Sequence, residues 1–141
     1  MITLLATTLM QALLAIAPPM TPTMVATAPN EVAIILHLEE GIHTYGPHNK
    51  EALPTTLTWS LPEGVTVTKV RWPELDDLGH LSQSCTIFVT FEVLPTLSAP
   101  LKVELNVSWL ACGVGTCTPG HTTLVTYLGE EKTSPKPLPK N

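Results

Sequence analysis

Two cysteines, Cys112 and Cys117, stand five positions apart in Trp109-Leu110-Ala111-Cys112-Gly113-Val114-Gly115-Thr116-Cys117-Thr118-Pro119-Gly120. Glycine relaxes the backbone, so the four intervening residues can let the two Cα atoms approach within the roughly 4.4–6.8 Å that a disulfide spans. So short a loop closes at little entropic cost, and the bond adds less stability than one tying distant strands together. That suits a reversible bond at the tip of a β-hairpin better than a structural staple, but the spacing alone leaves both open. A third chemistry is copper or zinc handling through Cys112, Cys117 and His121, with Cys85 or another histidine as fourth ligand. The spacing matches none of the usual zinc patterns. Cys85 lies in an alternating segment, where a thiol is ordinarily a small buried hydrophobe. His121, four residues beyond Cys117, is the nearest proton acceptor in sequence, or simply the start of the next strand.

The elements that must position this pair are strands. The chain has 141 residues, of which 44% are hydrophobic and 13% charged, enough apolar content for one compact domain and too much for a disordered chain. Fourteen prolines and eight glycines argue against long helices. The formal charge of -5, with no basic residue before Lys50 and no basic cluster, excludes a nucleic-acid partner. Strand-like segments run over 31–38, 41–45, 55–61, 65–72, 85–94, 101–110 and 122–128. In the fourth, Val65, Val67 and Lys69 are expected on one face, with Thr66, Thr68 and Val70 on the other. Residues 74–84 read as a polar loop. Seven short strands between turn signals are the pattern of an antiparallel β-sandwich.

Residues 1–17 form the longest apolar run. A membrane span is disfavoured by Thr3, Thr7, Thr8 and Gln11 and by the stop at Pro18-Pro19. An export signal fits the length and the small residues Ala15 and Ala17, although a positive N-terminal region is missing and Pro18 is a poor cleavage neighbour. The expected division is therefore a leader or signal segment over 1–28, one domain over 29–128, and a proline-rich, charged linker or tail over 129–141.

The order of landmarks resembles one family. Gly41-Ile42-His43-Thr44-Tyr45, Leu57-Thr58-Trp59, Leu61-Pro62-Glu63-Gly64-Val65, Trp72-Pro73, Trp109-Leu110-Ala111-Cys112 and Cys117-Thr118-Pro119-Gly120 follow one another as in the N-terminal periplasmic domains of the DsbD protein-disulfide reductases. The resemblance implies an all-β, immunoglobulin-like antiparallel β-sandwich in the periplasm, with Cys112 and Cys117 as the catalytic redox pair and no cofactor. It implies protein-disulfide reductase activity as one domain of a larger system, tethered to a membrane domain in a longer chain. Electrons would arrive from a thioredoxin-like donor domain and pass to a periplasmic disulfide isomerase or a cytochrome-maturation thioredoxin. Cys117 would form the mixed disulfides and Cys112 would resolve them. A cap loop would be formed by Leu75, Asp76, Asp77, Leu78 and Gly79, where apolar residues flank two acids at a tip that is aromatic in relatives. His43 and Tyr45 share one face of their strand, beside the pair or at the core's rim, and Pro119 and His121 complete its surroundings. With no Lys or Arg near the cysteines in sequence and two aspartates in the cap, thiol reactivity is expected to depend on the partner.

Overall fold

The computed structural model describes residues 18–50 and 52–129. The expected export segment over 1–17 and the tail from Glu130 lie outside the described residues. Nine antiparallel strands and no helix are found among the described residues. One sheet pairs β1 (Met20–Ala28), β2 (Glu31–Leu38), β7 (Cys85–Val93) and β5 (Val65–Arg71) in that order. The other pairs β4 (Thr56–Ser60), β8 (Leu101–Gly113) and β9 (Thr116–Leu128). Lettered along the chain, these seven strands give one sheet of A-B-E-D and one of C-F-G, the arrangement of a constant-type immunoglobulin sandwich. The remaining two, β3 (Thr44–Tyr45) and β6 (His80–Leu81), pair with each other. They are insertions in the B–C and D–E connections, which open at the same end of the sandwich as the F–G turn.

The core lies between the two sheets. Val32, Ile34 and Leu36 of β2, Ile87, Val89 and Phe91 of β7, and Val103, Leu105 and Val107 of β8 are all buried. Each trio is spaced by two residues, as a pleated strand requires for one inward face. Ile34 stands opposite Ile87 in the ladder. Trp59 of β4 meets the Phe91 ring edge-on at 5.2 Å, joining the sheets through an aromatic pair.

Three departures from the sequence reading have simple causes. Strand β1 falls within the 1–28 stretch set aside as a leader, yet it pairs with β2 from Met20↔Leu38 to Ala28↔Glu31. Its prolines hid it. Pro22 is tolerated because β1 is an edge strand, and Met20, Pro22, Met24 and Ala26 are more buried than the residues between them. In β5 a bulge between Val67 and Lys69 leaves Thr68 unpaired, so the alternation slips by one. Val70, not Lys69, therefore returns to the covered side with Val65 and Val67, while Lys69 is exposed. The third departure is that β8 and β9 continue through the segment read as a connecting loop, and β6 interrupts the polar loop over 74–84.

Candidate functional site

The β8–β9 ladder is unbroken from Leu101↔Leu128 to Gly113↔Thr116, which places Cys112 directly opposite Cys117. Their Cα atoms are 4.1 Å apart and a disulfide joins them. The close approach follows from the hydrogen-bond pattern on the other side of β8. The Cys112 N–H donates to the His43 carbonyl at 2.8 Å, and the His43 N–H donates to the Cys112 carbonyl at 2.9 Å. With both backbone groups turned to His43, Cys112 faces β9 as a non-hydrogen-bonded pair, the type in which opposed residues lie closest. The chain reverses at Val114-Gly115. Gly115 takes φ +74 and, among the described residues, no non-glycine residue has a positive φ, so the corner has the negative-then-positive pattern of a type II turn. The two cysteines are unequal: Cys112 is 2% exposed, whereas Cys117 is an exposed residue.

The burial of Cys112 comes from β3 and β6, which the register ranges beside it. Thr44 anchors β3: its hydroxyl donates to the Leu110 carbonyl at 2.8 Å, and the Thr55 hydroxyl donates to the Tyr45 carbonyl at 2.6 Å. With Thr44 turned inward, His43 and Tyr45 lie together on the opposite side of β3, the side of the disulfide. The Tyr45 hydroxyl donates to Cys112 Sγ at 3.7 Å, and His43 Nε2 lies 3.4 Å from the same hydroxyl. Tyr45 pairs with His80 across β3–β6. The His80 ring stacks on His43, with centroids 4.2 Å apart and planes 10° from parallel, and meets Tyr45 edge-on at 4.9 Å. His43 and Tyr45 are themselves edge-on at 5.4 Å. Three rings thus pack together, with the Tyr45 hydroxyl against Cys112 Sγ.

Behind His80 the Asp76 carboxylate closes the turn. Oδ1 accepts the Leu78 and His80 N–H groups, each at 2.9 Å, and Oδ2 accepts the Ser82 hydroxyl at 2.9 Å. These bonds, led by the His80 N–H, hold the Asp76 carboxyl below the usual aspartate range. Burial, then the neighbouring His80, lowers His43, while Asp76 pulls it back up. His43 therefore sits neutral at neutral pH.

Of the residues expected at the site, the structure brings His43 and Tyr45 against Cys112 and leaves others apart. Leu75 packs over Gly46, where a Cβ would lie 2.7 Å from one of its methyl carbons, and the Gly46 N–H donates to the Gly79 carbonyl at 3.1 Å. The 75–79 loop is thus docked on the chain just after β3. Leu78 at its tip is 73% exposed, and Cys117 is exposed as well. Pro119 and His121 pair with Leu110 and Ser108, further down the hairpin. His121 lies four residue steps along the strand from Cys117, a span of about 13 Å, and both His121 and Pro119 border a groove with Leu53, Trp109 and Gly120. Cys85 is on the opposite sheet, paired with Leu36. It is a half-buried free thiol whose pKa burial pushes up. His121 and Cys85 thus lie apart from the cysteine pair, and no group of three or more His, Cys, Asp or Glu side chains suited to a metal occurs among the described residues. His80 was not foreseen. Its only sequence signal was a histidine closing an acidic turn, and its place depends on β3–β6 pairing.

The arrangement presents one reachable sulfur, Cys117, bonded to a sheltered one, Cys112, on a two-stranded scaffold held by backbone pairing on both sides of β8. A family model described as "Thiol:disulfide interchange protein DsbD, N-terminal" matches residues 11–129. Among solved structures, the chain is similar to the Neisseria meningitidis DsbD N-terminal domain in the reduced form, with 17% identity and a TM-score of 0.43 over 82% of this chain and 92% of that one. It is also similar to the yeast GGA1 GAE domain, with 11% identity and a TM-score of 0.38 over 77% of this chain and 88% of that one. No curated protein matches the sequence.

Proposed function

Because the chain belongs to the family of N-terminal domains of the thiol:disulfide interchange protein DsbD, we propose that it is a periplasmic thiol–disulfide exchange domain working through Cys112 and Cys117. The observation that carries this reading is the inequality of the two cysteines: Cys117 is an exposed residue and Cys112 is 2% exposed. A thiolate of an incoming thioredoxin-like donor attacks Cys117 Sγ. A sulfur–sulfur bond forms to Cys117, the Cys112–Cys117 bond breaks, and its electron pair leaves on Cys112. The donor's second thiol then releases reduced Cys117, so that two electrons have entered the domain and the donor is left as a disulfide. In the onward step the Cys117 thiolate attacks the disulfide of an acceptor, a periplasmic isomerase or a cytochrome-maturation thioredoxin. Cys112 resolves the mixed disulfide by attacking Cys117. Having its resolving thiol one cross-strand pair away gives this step the advantage of an intramolecular reaction.

Equilibration against graded dithiol and disulfide mixtures tests the reading. The pair is expected to open at a potential above about −300 mV, whereas a permanent structural bond resists reduction beyond that value. A bond that stays closed under those conditions, in folded protein, would refute the exchange function and leave a binding sandwich with a staple.

A further inference from the structure

Each opening of the disulfide at Cys117 leaves a negative charge on Cys112, the cysteine with 2% exposure. Water cannot hydrate that thiolate well, so the protein must supply a donor or accept a raised pKa. The titratable groups ranged about Cys112 are His43 just before β3, Tyr45 of β3, His80 of β6 with Asp76 behind it, and Cys117 of β9. The backbone N–H of Cys112 is already given to the His43 carbonyl. One group in this set has a proton aimed at the sulfur: the Tyr45 hydroxyl, 3.7 Å from Sγ.

We propose that Tyr45, supported by His43, is the hydrogen-bond donor that stabilises the Cys112 thiolate whenever the disulfide opens. The inference rests on the exchange function proposed above and assigns a catalytic role to Tyr45, which touches the reacting sulfur, and a positioning role to His43, which acts through it. The phenol has one hydrogen and two neighbours, Cys112 Sγ and His43 Nε2. A disulfide sulfur is a weak acceptor and competes poorly for it. A thiolate is a strong one, and its hydrogen bond is of the charge-assisted kind. As the S–S bond breaks, the phenol hydrogen already aimed at Cys112 Sγ is held there more strongly, and the neutral imidazole, in the tautomer that carries its hydrogen on Nε2, donates to the phenol oxygen. No proton need leave the chain of three groups, and the interaction strengthens as charge develops, which is the condition for lowering a barrier rather than merely binding the ground state. The parallel His80 ring and the edge contact of Tyr45 with both imidazoles hold the donor in place.

The test titrates Cys112 in a Cys117→Ser chain, using the Cβ carbon signal of labelled cysteine, which separates Cys112 from Cys85. Adding Tyr45→Phe is expected to raise the Cys112 midpoint by about one to two pH units, or ten- to a hundredfold less thiolate at a pH below it. His43→Phe, which keeps a flat ring against His80, is expected to raise it by less. An unchanged midpoint in both variants would overturn the assignment. Should Tyr45→Phe fail to fold, the His43→Phe midpoint decides alone: a rise supports the relay and no rise refutes it. The exchange function stands or falls separately, by reduction of the unsubstituted disulfide. A bond that resists reduction with the Cys112 midpoint still sensitive to Tyr45 would sink the function and not the hydrogen bond.

Discussion

Reducing the Cys112–Cys117 bond should weaken the fold modestly and leave it standing. The bond closes a ring of six residues, from Cys112 to Cys117. The chain-entropy relation gives about 2 kcal/mol for a ring of that size, against about 4.7 kcal/mol for one of 100 residues. The native state has little further to lose, because backbone pairing already holds both cysteines. Cys112 is bonded on both backbone groups to His43, and the ladder continues past the disulfide to Gly113↔Thr116. Nearly all of the effect therefore arises from the greater freedom of the reduced unfolded chain. Urea unfolding of the oxidised and reduced protein, followed by tryptophan fluorescence, should show a loss of about 2 kcal/mol, or roughly 8 °C in Tm for a domain of this size. A loss above about 4 kcal/mol, or a reduced protein without cooperative unfolding, would show that the bond is a structural staple and that the hairpin is not self-supporting.

Other consequences follow from particular contacts. A Cβ on Gly120 would lie 2.8 Å from Trp109 Nε1 and closer still to two ring carbons, so Gly120→Ala should cost about 1–3 kcal/mol by forcing the indole off its cross-strand partner. An unchanged urea midpoint would contradict this packing. Asp76 is depressed by the His80 N–H first and by Ser82 and Leu78. Its contribution is therefore present above the ordinary aspartate pKa and lost as pH falls through the lower, folded value. Carboxyl NMR should find its midpoint below that of an ordinary aspartate, with the Leu78 and His80 amides losing exchange protection over the same pH range. Independent behaviour of the two would refute the turn's dependence on this carboxylate. Cys85, half-buried with its pKa raised by burial, should react with a thiol reagent at mildly alkaline pH more slowly than an unfolded-chain cysteine. Labelling of folded and unfolded protein at equal rates would show that its site opens freely.

Strands whose residues alternate without interruption were legible from sequence. Leu101, Val103, Leu105 and Val107 announce β8, and the segment beginning at Cys85 announces β7. The cysteine pair and the turn between its members were legible too, since glycines at 113 and 115 mark a reversal. What escaped depends on pairing rather than on local pattern. Pro22 reads as a strand breaker until β1 is known to be an edge. The bulge at Thr68 moves Val70 to the inner side because of β7, not because of anything in residues 65–71. The environment of Cys112 is the hardest case. Tyr45 is 67 residues away in sequence, and the His43–His80 stack forms because two short insertions pair with each other. His121, close to Cys117 in sequence, lies further down the hairpin because its strand is extended.

The central claim is that the exposed sulfur exchanges and the sheltered one resolves. Incubating Cys112→Ser protein with a thioredoxin-like protein in its disulfide form tests it most directly, with mass spectrometry to locate the linkage. The account predicts a stable one-to-one mixed disulfide through Cys117 that the unsubstituted protein does not accumulate. Linkage through Cys85, or no adduct from a folded variant, would contradict it.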